Sequence, residues 1–305
     1  MMERTLVTGG SGLVGSHLRK LMPTAAFVSS RDYNLMDQFD VDRLMMRGWD
    51  RVIHMSARVG GIVDNQSNQL AYLEENILMN TYFLRKAREL RIPRLTGILS
   101  SCICPTNWNR YPMIEEDLLM GEPNESNYTY AMAKRIMARQ IELSNQSGQD
   151  IKWNYLVPCN LYGEGDKSDP SKSHFVTALL HKIKDAVALG KDHIELLGEG
   201  YEQRQFMHAG DLARVIKEVC DRDIHVSFNV APPENLTIHN IADVALEATG
   251  NTHLGIRFQG GYGGEVRKDI SNKRMMALIP DFKFTSLRDG MRSVYSSIDQ
   301  KPVEA

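Results

Sequence analysis

The chain has 305 residues, 42% of them apolar and 24% charged, with a formal net charge of -2. A chain of this length and composition buries a substantial core, as one large domain or two modest ones, which excludes disordered and fibrous classes. A net charge this small supplies no broad positive field, so nucleic acid and anionic membrane are not expected partners, and an anionic ligand must meet a local cluster of cations.

The chain opens without an apolar leader segment: Arg4 is followed directly by Thr5-Leu6-Val7-Thr8, which reads as a first strand. Thr8 to Gly15 then forms a glycine loop in which Gly9, Gly12 and Gly15 keep a regular spacing, and a helix continues through His17, Leu18 and Leu21. Glycines there permit a tight turn and let backbone approach a pyrophosphate. The helix start offers free N–H groups around Leu13 and Val14 and the positive end of its dipole. A plain βα turn is the alternative, but the position between strand and helix favours dinucleotide binding.

Ala26 to Ser29 reads as a second strand, running out through Ser30 to Arg31 and Asp32. An arginine here suits the 2′-phosphate of NADP(H), with a planar and permanently charged fork. Asp32 is the competing signal for NAD. Arg51-Val52-Ile53-His54 is expected as a third strand, followed by a helix with Leu70, Leu73, Ile77, Leu84 and Ala87 on one face. A strand at Leu95 to Leu99 leads into Ser100-Ser101-Cys102, which places these side chains where ligands bind, beyond the carboxyl ends of parallel strands.

Tyr130 and Lys134 are four residues apart and share one face of an expected helix. A neighbouring ammonium is expected to lower the tyrosine's pKa and fit it for proton exchange with a carbonyl oxygen. Ser100 can hydrogen-bond the same oxygen. Tyr155-Leu156-Val157 reads as a further strand. Short buried strands alternating with amphipathic helices predict an α/β fold, a doubly wound parallel sheet of Rossmann type. From about Tyr162 the pattern loosens, which divides the chain into residues 1–161, binding the dinucleotide, and 162–305, mainly a smaller α/β substrate-binding part with segments returning to the sheet.

No apolar run approaches the roughly 18 residues of a membrane span. Cys102, Cys104, Cys159 and Cys220 make no disulfide framework, which points to a reducing cytoplasm. Cys102 and Cys104 lack a second close pair or a nearby histidine, so no metal site is expected.

The glycine loop, Ser100, Tyr130 and Lys134 resemble the extended short-chain dehydrogenase/reductase family. Within it, Val59-Gly60-Gly61-Ile62, Ser100 to Pro105, Tyr130 to Lys134, Asn160-Leu161-Tyr162-Gly163 and Ser173-His174 resemble the GDP-L-fucose synthase family, over about Thr5 to Phe284. The resemblance implies an NADPH-dependent homodimer that inverts two carbons of GDP-4-keto-6-deoxy-mannose and then reduces its ketone. It implies Ser100, Tyr130 and Lys134 as reductase triad, Cys102 as epimerisation base and His174 as acid, and Asn160 near the nicotinamide. It also implies Lys182, Arg204 and Lys268 as cations for the GDP-sugar. Glu164 stands where a proline is common, Cys104 where a tyrosine is usual and Leu197 where a tryptophan is usual. The loop Gly165 to Pro170 also departs from the family's run. Reduction without epimerisation, epimerisation without net reduction, and non-catalytic dinucleotide binding on the same fold are the competing readings.

Overall fold

A computed structural model describes residues 3–148, 150–166, 174–261 and 265–298. Strands β1 (Thr5–Thr8), β2 (Ala26–Val28), β3 (Arg51–His54), β4 (Arg94–Ile98) and β5 (Lys152–Pro158) fall where short β-rich runs predict them, shifted by up to three residues at their ends. The central residues of these strands are buried, among them Val7, Val52, Ile53, Leu95 and Leu156, as strands covered on both faces must be.

Between and beyond them lie α1 (Leu13–Leu21), α2 (Gln38–Met45), α3 (Ile62–Ser67), α4 (Gln69–Glu89) and α5 (Tyr128–Asn145). The chain continues through β6 (Asn160–Tyr162), α6 (Phe175–Ala188), β7 (His193–Leu196), β8 (Gln203–Arg204), β9 (Phe206–His208), α7 (Ala209–Asp221) and β10 (Phe228–Val230). It ends with β11 (Leu236–Thr237), α8 (Ile238–Thr249), β12 (Gly255–Phe258), β13 (Arg267–Lys268), α9 (Lys273–Leu278) and α10 (Leu287–Ile298).

Six strands form one sheet in the order β10-β5-β4-β3-β1-β2, every pair parallel. Helices cover it in two sets, α1 against α7 and α5 against α4, which also meets α2. This is the doubly wound Rossmann-type architecture. Its core takes in Leu212 and Ile216 from α7, Phe228 and Val230 from β10, and Ile270, Met275 and Ile279 from still later in the chain. A second core gathers Val176, Leu180 and Ile183 of α6, Ile194 of β7, Ile241 and Ala245 of α8, and Met291 and Val294 of α10.

The expected face of α4 needs correction. Leu84 and Ala87 are buried, but Leu70 is 64% exposed and Leu73 and Ile77 are only half-buried. The buried stripe is instead Tyr72, Asn76, Asn80 and Phe83. Polar side chains sit inside here because each of them makes at least one hydrogen bond. Asn76 accepts from the Arg58 N–H at 3.0 Å and donates to the Arg58 and Tyr72 carbonyls, so the helix grips the loop after β3.

A close approach fixes α5. Gly97 lies in β4, and a Cβ there would stand 2.7 Å from the Met137 tip and 2.8 Å from that of Ile141. The missing side chain lets α5 settle against the strand whose end carries Ser100.

Candidate active site

The glycine loop takes the shape its spacing predicts. Gly9 has φ +71°, in the left-handed region, and the Gly12 N–H returns to its carbonyl at 3.0 Å. A Cβ on Gly15 would come within 2.6 Å of that same carbonyl oxygen. The turn therefore tolerates only glycine where it packs on the helix. Gly12 is the N-cap of α1 and offers no capping side chain, which leaves the N–H groups of the first turn, including Leu13 and Val14, turned outward to meet an anion.

At the end of β2 the Asp32 carboxylate folds back on its own turn. It accepts from the Ser29 N–H and the Ser29 hydroxyl, both at 2.8 Å, and these bonds hold it below the usual carboxylate range. Arg31 beside it is exposed. The cradle thus fits a dinucleotide with a ribose phosphate: glycine backbone for the pyrophosphate, a guanidinium for the extra charge.

His54, at the end of β3, lies beside Thr8, where the glycine loop begins. It is fully buried and stacked on Phe83, with ring centroids 4.3 Å apart. The Thr8 hydroxyl oxygen accepts from the Met55 and Ser56 N–H groups, so its own hydrogen is left for His54 Nδ1 at 2.8 Å. The other ring nitrogen then donates to Asn80 Oδ1 at 3.1 Å. Burial, with the charge of Lys134 adding to it, pushes the imidazole down to about 3, so it is neutral.

Ser100 follows β4, and its hydroxyl oxygen accepts from the Cys102 N–H at 3.2 Å, starting a short 3-10 turn over Ser101–Ile103. That turn aims Cys102 toward α5. The Asn127 side-chain amide donates to the Cys102 sulfur at 2.9 Å. Lys134, buried, donates to the Ile98 carbonyl at 2.8 Å and stands 5.9 Å from the Tyr130 ring centre. Tyr72 meets Tyr130 edge-on at 6.4 Å. Ser100, Cys102, Tyr130 and Lys134 are therefore gathered at the carboxyl end of β4.

The electrostatics of the pair differ from expectation. Removal of the Tyr130 hydroxyl from water pushes the phenol up, and the negative forms of Cys102 and Tyr72 add to the shift. Burial also pulls the Lys134 ammonium down to about 8. Burial of the hydroxyl sets the direction for the phenol, while the buried Lys134 is bonded to the Ile98 carbonyl. Tyr130 is consequently held protonated, as a proton donor must be.

His174 lies at the start of α6. Its Nδ1 is 3.0 Å from Asp166 Oδ1, and its own N–H meets Asp166 Oδ2 at 3.1 Å. Burial works to raise the Asp166 carboxyl, and hydrogen bonding from His174 outweighs it, leaving it below the usual carboxylate range. An ionised Asp166 in that position holds the Nδ1–H tautomer and leaves Nε2 to face outward. Residues 167–173, including Ser173, lie outside the described residues.

The remaining candidates lie on separate elements, β6, α6, β8 and β13. Asn160, in β6, donates to the Gln205 carbonyl at 2.9 Å and so ties β6 to the segment before β9. Lys182, exposed on α6, donates to the Glu195 carbonyl at 2.8 Å. Arg204 donates to the Gln203 carbonyl at 2.8 Å. Lys268, in β13, lies close enough to Cys104 to oppose the burial that pushes that thiol up to about 12.

Asn127 and Asp166 were not singled out by sequence. Neither is a residue type that marks chemistry alone. Their signals are positional: an amide three residues before Tyr130, and a carboxylate eight before His174.

Residues 5–231 match the NAD dependent epimerase/dehydratase family. The chain is 28% identical over 312 residues to a probable GDP-L-fucose synthase of Drosophila melanogaster, covering 96% of both chains. It is 32% identical over 218 residues to a GDP-L-colitose synthase of Yersinia pseudotuberculosis, covering 70% of each. A crystal structure of a GDP-L-fucose synthetase from Naegleria fowleri bound to NADP superposes with a TM-score of 0.88 at 24% identity, over 98% of this chain and 93% of that one.

Proposed function

The chain belongs to the NAD dependent epimerase/dehydratase family, and from that membership we propose that it converts GDP-4-keto-6-deoxy-mannose to GDP-L-fucose with NADPH. The reading is carried by one observation: Ser100, Cys102, Tyr130 and Lys134 converge at the end of β4, beside a glycine loop fit for a dinucleotide. NADPH, when bound, supplies the hydride.

The side chains supply the rest. Cys102 takes a proton from a carbon beside the ketone, with Asn127 steadying the thiolate. Tyr130 and Ser100 hydrogen-bond the enolate oxygen as charge gathers there. His174, held by Asp166, returns a proton to the opposite face, which inverts the carbon. Once both carbons are inverted, Tyr130 gives its proton to the ketone oxygen during reduction, and the Lys134 ammonium stabilises the phenolate left behind. Asn160 orients the substrate near the nicotinamide. Arg204, Lys182 and Lys268 neutralise the GDP pyrophosphate. Residues 1–161 carry the cofactor, and 162–305 hold most of the GDP-sugar.

We assign the working form as a homodimer in the cytoplasm. Leu70 and Leu78 on α4, and Ile136 and Leu143 on the neighbouring α5, are apolar and exposed, a surface suited to a second copy. All four cysteines are free, which agrees with a reducing compartment. No helix among the described residues is long and apolar enough to cross a membrane.

The test is incubation with GDP-4-keto-6-deoxy-mannose and NADPH, with the product's ring stereochemistry assigned by NMR. GDP-L-fucose is expected. A reduced sugar with its ring carbons uninverted removes the epimerase half, and NADPH binding without turnover removes the enzyme. A second reading, a different GDP-keto-deoxy sugar, is favoured by the GDP-L-colitose synthase relative and by the altered loop from Gly165 to Pro170. Turnover of that other sugar in preference would select it.

A further inference from the structure

One cluster of titratable groups lies outside the machinery just described. Glu164 follows β6 and sits among His17 of α1, His208 at the end of β9, and Ser293 of α10. The Glu164 carboxylate accepts from His208 Nε2 at 3.0 Å and from the Ser293 hydroxyl. Its backbone carbonyl accepts from His17 Nε2 at 3.2 Å, and the same nitrogen stands 3.6 Å from the carboxylate.

Two histidines and a carboxylate could hold a metal ion, but the hydrogen bonds argue otherwise. The Gly210 N–H donates to His208 Nδ1 at 3.2 Å, so the hydrogen of that ring is on Nε2. His17 likewise uses Nε2 as a donor. A metal-binding histidine needs a bare ligating nitrogen and donates from the other one. Both nitrogens that would face an ion already carry hydrogens aimed at Glu164.

What the cluster does is tie one loop down. A Cβ on Gly163 would be 3.4 Å from His17 Nε2, and one on Gly165 would be 3.6 Å from the Ser16 hydroxyl, so the segment lies directly on α1. Two residues after Glu164 comes Asp166, whose carboxylate holds the backbone and the ring of His174. The same segment therefore touches the helix that begins at the phosphate loop and the histidine that returns the proton.

We propose that Glu164 is a positioning residue for His174: by clasping His17, His208 and Ser293 it fixes Asp166, and through it the imidazole, relative to α1. This rests on the reading of His174 as the epimerisation acid. A misplacement on the order of 1 Å at a reacting group can cost about 100-fold in rate, so an anchor of this kind has a measurable effect.

The experiment compares the full-length parent with Glu164→Ala, Glu164→Gln and Ser293→Ala. Three quantities are read: the His174 ring signals and titration by NMR, assigned through their loss in His174→Asn; deuterium entry beside the ketone of GDP-4-keto-6-deoxy-mannose without NADPH; and the Kd for NADPH. Glu164→Ala should shift the His174 titration and slow exchange by about tenfold or more, with the Kd for NADPH within about threefold of the parent. Glutamine keeps an oxygen for His208 and an amide for Ser293, so Glu164→Gln should restore the His174 signals and most of the exchange.

Unchanged His174 signals and exchange in Glu164→Ala overturn the proposal. So does a variant pair that loses NADPH binding equally, since that marks a role in folding alone. If Glu164→Ala does not fold, Ser293→Ala must move both His174 readouts in the same direction, or the proposal falls. If the parent itself shows no exchange, the epimerase reading falls, and the NMR signals alone decide whether Glu164 positions His174.

Discussion

The Asn127 amide points at the Cys102 sulfur from 2.9 Å, across 25 positions of chain. A donor placed there holds the sulfur in the position from which it would take a proton. Cys102→Ala should reduce deuterium exchange beside the ketone by about 100-fold or more, as loss of a general base does. Asn127→Ala, which leaves the thiol, should cost about tenfold, the worth of one hydrogen bond to a charged group. Exchange at the parental rate in Asn127→Ala would show that the contact is not used.

Tyr130→Phe separates the two half-reactions. The variant keeps Cys102 and His174 but has no proton for the ketone oxygen. NADPH oxidation should fall by about 100- to 10,000-fold while deuterium entry persists at a reduced rate. Reduction that continues near the parental rate removes Tyr130 from its assigned role.

Lys134 sets an alkaline limit. Burial brings its ammonium down to about 8, so the charge is present below that pH and lost above it. Since the ammonium stabilises the phenolate formed during reduction, kcat/KM for NADPH oxidation should fall as pH rises through about 8. Lys134→Met should be slow throughout and lack that limb. A parental profile that stays flat between about pH 7 and 10 contradicts the assignment.

Arg31→Ala tests the cofactor. Asp32 is occupied by the Ser29 turn, which leaves Arg31 as the group at the end of β2 able to meet a phosphate. The variant should bind NADPH about 10- to 100-fold more weakly, with little change for NADH, as measured by fluorescence titration. Equal loss for both nucleotides would mean that Arg31 does not read the phosphate.

Much of this was legible in the sequence because it depends on local pattern. The first five strands are short, apolar and β-branched, and the glycine loop must be glycine for reasons within its own turn. The face of α4 was misread because Asn76 and Asn80 look like surface residues until their partners, the Arg58 backbone and His54, are seen in space. Asn127 and Asp166 were missed for the same reason: each acquires its role from a side chain elsewhere. The Tyr130 phenol was expected to be lowered because spacing puts a lysine on its face. Spacing does not say that the lysine bonds to Ile98 or that the phenol is withdrawn from water.

The sheet's last strand comes late. Phe228, Asn229 and Val230 are all buried against β5, although about seventy residues separate the two strands in the chain. While the protein is being synthesised, Leu156 and Val157 must wait at an open edge until β10 has left the ribosome. The sheet is thus finished only when most of the chain exists, and a fragment ending near residue 161 would present that edge to other nascent chains.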